Sequence, residues 1–109
     1  MSIALPRRRA ALLFALLPVS SALAGGTAAV TIDNFTFTPA LLTVARGTQV
    51  VWTNRDDMAH TVVSAASPPA FRSHPLDTGD TFAAVFDRPG RFPYFCSLHP
   101  HMQGTIVVR

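Results

Sequence analysis

The chain has 109 residues, with nine arginines, six aspartates and one cysteine, and it contains no lysine or glutamate. This length accommodates about one domain, and a single cysteine excludes an intramolecular disulfide. The arginines are too dispersed to form a basic stripe along a phosphate backbone, so no nucleic-acid partner is expected.

The N-terminal segment has the parts of a secretory signal. Residues 7–9 are arginines, residues 10–19 are apolar, and Ala24 ends a small-residue cleavage site. We therefore predict a signal peptide over residues 1–24 and one exported domain over residues 25–109. A membrane anchor is the alternative, but the apolar run is shorter than a bilayer span, so no membrane association is expected after cleavage. Cleavage leaves six arginines against six aspartates, which predicts weak electrostatic steering of partners.

The rest of the chain has short stretches rich in Val, Ile, Thr and Phe, separated by turn residues every eight to twelve positions or so. This pattern is typical of an all-β domain. Two packed sheets with Greek-key connections are expected, because one open sheet would leave a hydrophobic face bare. The predicted strands are 29–34, 41–45, 48–54, 60–64, 81–87, 91–96 and 104–109. The predicted core residues are Val30, Ile32, Val44, Val50, Trp52, Val62, Phe82, Phe86, Phe92, Phe95, Ile106 and Val108.

A thiolate, an imidazole and a thioether recur at three-residue intervals, as Cys96, His99 and Met102. A free thiol in an exported protein requires burial or metal ligation to escape oxidation. Three residues span about 10 Å at full extension, so one compact loop can direct all three side chains at a single ion. A fourth ligand must come from elsewhere, and His60, at the start of a predicted strand, is the candidate.

This set of donors favours copper over other metals. Cysteine sulfur suits Cu(I), imidazole suits both oxidation states, and methionine is a soft, weak ligand. Zinc does not usually take a thioether, and calcium and magnesium require oxygen donors that Asp56 and Asp57 alone do not provide. His74 is expected to face solvent, and His101 is expected to lie either beside the ligands or at the surface rather than to bind the metal.

Residues 51–60, 94–102 and 104–108 resemble blue copper proteins of the cupredoxin family, in particular the amicyanin branch of the plastocyanin-like proteins. The short spacing of Cys96, His99 and Met102, with two residues in each gap, is similar to the amicyanin loop. The resemblance implies a Greek-key β-sandwich that carries electrons in the periplasm. It also implies one copper ion, alternating between Cu(I) and Cu(II), held by His60, Cys96, His99 and Met102.

By the same resemblance, redox proteins that donate and accept electrons would dock at a small apolar patch near His99, and the protein is expected to be a monomer. The candidate patch residues are Leu98, Pro100, Met58 and Ala59. An enzyme is not expected, because too few histidines remain for a catalytic copper centre. A periplasmic copper chaperone or storage protein is the alternative, although such proteins usually carry many exposed methionines and histidines. A purely structural β-domain would leave the lone thiol unexplained.

Two residues depart from the family pattern. Thr61 follows the first histidine where these families often have asparagine, so the usual hydrogen bond to the ligand loop cannot be carried over. Leu98 replaces the proline before the second histidine and restores a backbone amide. We hypothesise that this amide donates to the Cys96 sulfur and raises the reduction potential.

Overall fold

The computed structural model describes residues 25–109 as two four-stranded β-sheets. In chain order the strands are β1 Thr27–Asp33, β2 Thr36–Thr38, β3 Leu41–Val44, β4 Thr48–Asn54, β5 Val63–Ser64, β6 Thr81–Phe86, β7 Gly90–Phe95 and β8 Gln103–Val108. One sheet has the order β2-β1-β4-β6 and the other the order β3-β8-β7-β5. The predicted all-β, two-sheet sandwich is confirmed. The predicted signal peptide, residues 1–24, lies outside the described residues.

The chain changes sheet at most of its connections, and this produces two parallel strand pairs, β1 with β4 and β3 with β8. Six of the seven predicted strands lie within two residues of an observed strand. The exception is the predicted strand 60–64, of which only β5 at its end is regular, while His60 forms an isolated bridge with Leu76. Between residues 25 and 109 no helix is long and apolar enough to cross a membrane.

β2 was not predicted, because the turn before it carries no glycine. Asn34 and Phe35 form this two-residue turn, and both have positive φ angles, 52° and 56°. Two consecutive residues of positive φ give the turn twist that suits a tight hairpin, although glycine usually supplies at least one of them. The turn pairs Asp33 with Thr36 and leaves Phe35 partly exposed at the end of the two strands.

The core lies between the sheets and contains nine of the twelve predicted core residues in fully buried positions. Phe82 and Phe92 are partly buried and pack against it. The prediction for Phe95 is wrong, since this residue is only half-buried and lies outside the core cluster. Side chains alternate along a strand, and Tyr94 and Cys96 occupy the inward positions of this segment.

The pairing of β7 with β8 determines where the cysteine loop lies. These strands are antiparallel, with Phe95 opposite Gln103 and Tyr94 opposite Gly104, so residues 96–102 form the loop that joins them. A side chain at Gly104 would collide with the ring and hydroxyl of Tyr94. The absence of a side chain at Gly104 therefore allows the buried tyrosine to pack across β8 at the base of the loop.

Candidate metal centre

The loop of residues 96–102 is closed by hydrogen bonds between the residues predicted as ligands. The amide of His99 donates to the carbonyl of Cys96 over 3.2 Å, and the amide of Met102 donates to the carbonyl of His99 over 2.9 Å. The amide of Cys96 donates in turn to the carbonyl of Met102 over 3.1 Å. The three-residue spacing therefore corresponds to two successive tight turns. These backbone bonds hold the three residues close together, and the side chains of Cys96 and Met102 are buried.

His60 approaches this loop from the neighbouring part of the sheet. β5 pairs with β7, with Val63 opposite Phe95, so the residues just before β5 run beside Cys96. His60 exchanges two backbone hydrogen bonds with Leu76, of 3.1 and 2.7 Å. The side-chain amide of Asn54 donates to the carbonyls of Met58 and Leu76, 2.8 Å in each case. The segment that carries His60 is therefore anchored on both sides.

The structure brings His60, Cys96 and His99 together. One ligand atom from each lies within 4.8 Å of the others. The Cys96 sulfur is 3.7 Å from Nδ1 of His60 and 3.6 Å from Nδ1 of His99, and the two imidazole centroids are 4.9 Å apart. His60 is buried and His99 is partly buried, so the group lies just beneath the surface.

Asp56 fixes the orientation of the His60 ring. Its Oδ2 lies 2.9 Å from Nε2 of His60 and accepts a second hydrogen bond of 2.9 Å from the Phe35 amide. The bonds from Phe35 and then from His60 hold the pKa of Asp56 below its usual value. A carboxylate at Nε2 favours the tautomer that carries its proton there and leaves Nδ1 free to bind a metal. This role of Asp56 was not predicted, although its four-residue separation from His60 is visible in the sequence.

The Cys96 sulfur accepts a 3.3 Å hydrogen bond from the Thr61 backbone amide. Burial raises the pKa of the thiol, but the hydrogen bonds that the sulfur accepts, of which the bond from the Thr61 amide has the largest effect, outweigh it and lower the pKa to about 6. The site therefore favours the thiolate, which is the form that binds metals.

Both departures from the family pattern have structural consequences. The expectation for Leu98 is wrong: within residues 25–109 its amide makes no hydrogen bond to the sulfur. The amide that donates is that of Thr61, whose segment lies beside the end of β7. Thr61 also makes a link to the ligand loop despite the missing asparagine. Its hydroxyl accepts a 2.7 Å bond from the Ser97 amide.

Phe35 is a site residue that sequence reasoning did not find. Its ring contacts both imidazoles edge to face, with centroids 5.2 Å from His60 and 4.8 Å from His99. His60 and His99 lie 25 and 64 positions further along the chain, so no local signal in the sequence connects the Phe35 turn with them. The topology of the strands brings these residues together. His74 is exposed, as predicted, and of the two placements left open for His101 the structure shows the exposed one.

The donor set fits copper. A buried thiolate and two imidazole Nδ1 atoms face one another, and the methionine of the same loop is buried. Soft sulfur with imidazole suits copper, and the described group contains no carboxylate facing the cysteine that would favour a hard cation. A two-sheet sandwich with this group at its end defines a copper protein of the type 1 class.

Comparison with known proteins identifies the family. A family model described as a cupredoxin-like domain matches residues 9–108, so the chain belongs to the cupredoxin family. Amicyanin-alpha of Methylorubrum extorquens is 32% identical over 97 residues, which cover 86% of this chain and 81% of that protein. Amicyanin of Paracoccus versutus is 30% identical over 80 residues, which cover 71% of this chain but only 61% of that protein.

Solved structures agree with this assignment. A purple cupredoxin from Nitrosopumilus maritimus superimposes with a TM-score of 0.71 at 34% identity, over 75% of this chain and 99% of that one. A reduced amicyanin variant gives a TM-score of 0.73 at 27% identity, over 81% of this chain and 87% of that one. The chain is thus a cupredoxin related to amicyanins and plastocyanins, its cofactor is copper, and it is not an enzyme.

Proposed function

We propose that the protein carries one electron at a time between redox partners, with copper held by His60, Cys96, His99 and Met102. The observation that supports this most strongly is the convergence of three ligand atoms, from two distant parts of the chain, within 4.8 Å of one another. When bound, copper supplies the electron by alternating between Cu(II) and Cu(I). The role of the protein is to hold the ligands in one arrangement.

Several contacts support a rigid arrangement of ligands. Asp56 holds the His60 ring, backbone hydrogen bonds close the loop of residues 96–102, and the Thr61 amide binds the Cys96 sulfur. Side chains fixed by packing and hydrogen bonds have little freedom to rearrange. When the ligands move little between oxidation states, the site undergoes only a small reorganisation at each electron transfer.

Electrons would enter and leave through a small apolar surface around His99. Phe35, Met58 and Leu98 are 39%, 46% and 51% exposed, and they are three of the five exposed large hydrophobic residues within residues 25–109. Met58 and Leu98 belong to the predicted patch, and Phe35 adds an aromatic ring to it. Small apolar contacts suit brief encounters between redox proteins, so we infer that donor and acceptor proteins dock here.

The visible spectrum of the purified domain after addition of Cu(II) tests this function. An intense thiolate-to-copper band that bleaches on reduction and returns on oxidation is expected in the wild type and should be absent in Cys96→Ala. Tight binding of Cu(I) without such a band would contradict the carrier and favour a chaperone or storage protein. Replacement of Leu98 by aspartate should slow electron exchange with a redox partner while the band remains intact.

We also infer that the domain over residues 25–109 acts in the periplasm after removal of residues 1–24. The arginines, apolar run and small residues of that segment support this inference. The intact mass of protein recovered from the periplasmic fraction of an expressing bacterium tests it. A chain that begins near Gly25 is expected, and an unprocessed chain retained in the cytoplasm would contradict it.

A further inference from the structure

The hydroxyl groups of Thr61 and Ser97 lie 2.8 Å apart beside the Cys96 sulfur. Thr61 is buried, and its Oγ1 lies 3.7 Å from that sulfur while accepting a 2.7 Å bond from the Ser97 amide. Ser97 is exposed. The hydroxyl pair therefore connects the solvent-facing side of the ligand loop with the buried sulfur.

Each hydroxyl has one proton, and this limits how the pair can be arranged. In one arrangement the Thr61 hydroxyl donates to Ser97, and the sulfur receives only the bond from the Thr61 amide. In the other arrangement the Ser97 hydroxyl donates to the second lone pair of Thr61 Oγ1. The Thr61 proton is then free to point at the sulfur, which receives two hydrogen bonds from Thr61 instead of one.

Charge favours the second arrangement. A thiolate only accepts hydrogen bonds, and bonds to a charged acceptor are stronger than bonds between neutral groups. In this arrangement Thr61 Oγ1 accepts two hydrogen bonds from Ser97, and these polarise its own O–H and strengthen it as a donor. Ser97 is exposed, so water can donate to its hydroxyl, and no buried polar group in the pair is left without a partner.

We propose that Ser97 and Thr61 form a hydroxyl relay, in which Ser97 donates to Thr61 and Thr61 donates to the Cys96 sulfur, and that the relay raises the reduction potential of the metal centre. This inference rests on the proposed copper function. Hydrogen bonds to the cysteine sulfur tune the potential of such centres, because they withdraw charge that the sulfur would otherwise give to Cu(II). Thr61 and Ser97 act through Cys96, so both are positioning residues.

Reduction potentials of three variants test the relay. Thr61→Val keeps the shape and the backbone amide but removes the hydroxyl, and Thr61→Ser is the matched control that keeps the hydroxyl. The equilibrium constant for reduction should fall about tenfold in Thr61→Val, which corresponds to about 59 mV for one electron. It should stay within about twofold of the wild type in Thr61→Ser, because the donor is retained.

Ser97→Ala determines the direction of the relay. If Ser97 donates to Thr61, loss of its hydroxyl weakens the Thr61 donor, and the equilibrium constant should fall about twofold. If Thr61 instead donates to Ser97, the variant frees the Thr61 proton for the sulfur, and the potential should rise. An unchanged or higher potential in Ser97→Ala would overturn the relay, as would equal potentials in Thr61→Val and Thr61→Ser.

Failure of the relay can be distinguished from failure of the proposed copper function. If the copper function is wrong, the wild-type protein will lack the thiolate-to-copper band. The energy of that band should shift in Thr61→Val, since the charge on the sulfur changes. Thermal unfolding of the copper-free proteins reports purely structural effects, and Ser97→Ala should unfold at the wild-type temperature. If Thr61→Val fails to bind copper, the sign of the change in Ser97→Ala still decides the proposal.

Discussion

The carboxylate of Asp56 lies 2.9 Å from Nε2 of His60, on the side of the imidazole opposite to the Cys96 sulfur. The proton of this histidine is thereby held away from the metal site. Such a carboxylate orients the ring and increases its basicity, and loss of such partners typically costs about 10–100-fold in metal affinity.

Asp56→Asn should therefore weaken copper binding by about tenfold, since the amide keeps the shape but not the charge. Competition with a chelator measures the affinity. Asp57→Asn is the matched control, because Asp57 is an exposed neighbour of the same charge. Equal affinities in the two variants would show that the Asp56 carboxylate does not support His60.

The low pKa of Cys96 predicts how the stability of the copper-free domain depends on pH. The folded state loses the thiol proton near pH 6, whereas the unfolded chain keeps it up to about pH 9. Between these values the unfolded state binds more protons, so the free energy of unfolding should rise as the pH increases. This contribution is present in full above pH 9 and is lost as the pH falls through 6.

Urea unfolding of the copper-free domain across this range measures the effect, and the ultraviolet absorbance of the thiolate reports the titration itself. Cys96→Ser is the control, because a serine hydroxyl does not titrate there. A wild type and a serine variant with the same pH dependence would contradict the lowered pKa.

The Phe35 ring covers both imidazoles, and its removal should expose the ligands to water and to competing chelators. Phe35→Ala should release copper several-fold faster, with a visible spectrum close to that of the wild type because no ligand is removed. Stopped-flow transfer of copper to a chelator measures this rate. Val85→Ala, at another exposed hydrophobic residue that lies on β6, should leave the rate unchanged. A Phe35→Ala rate equal to that of Val85→Ala would show that the ring does not protect the site.

The close contact between Gly104 and Tyr94 predicts a strong steric effect. Gly104→Ala should destabilise the domain by about 1–3 kcal/mol, because the buried ring must move to accommodate the added methyl group. Tyr94→Phe removes the hydroxyl that the methyl group would meet, so the same substitution should cost less in that background. Chemical unfolding of the four proteins of this double-mutant cycle measures the coupling. If the effects of Gly104→Ala and Tyr94→Phe on the free energy of unfolding are additive, the strain does not come from the contact between these two residues.

The class of fold and the candidate ligands were predicted from the sequence for different physical reasons. Strand positions follow from local alternation and turn residues, which is why β4 was predicted with its observed limits. Phe92 and Phe95 were both assigned to the core, yet three positions along a strand place side chains on opposite faces. The ligand loop was visible because its spacing is local.

The residues around the ligands were harder to predict because their contacts are long-range. Phe35 reaches His99 only because a turn with two positive φ angles lies at the same end of the sandwich as the ligand loop. The donor to the Cys96 sulfur was assigned to Leu98, in the same loop, whereas it comes from Thr61, 35 residues away. Strand pairing between β5 and β7 creates that contact, and no local pattern encodes it.

X-ray absorption at the copper edge of the loaded wild-type protein tests the central claim most directly. Histidine nitrogen and one cysteine sulfur should surround the ion, and the short sulfur contribution should disappear in Cys96→Ser. A copper environment made only of nitrogen and oxygen, unchanged in that variant, would mean that the ion does not occupy the site described here.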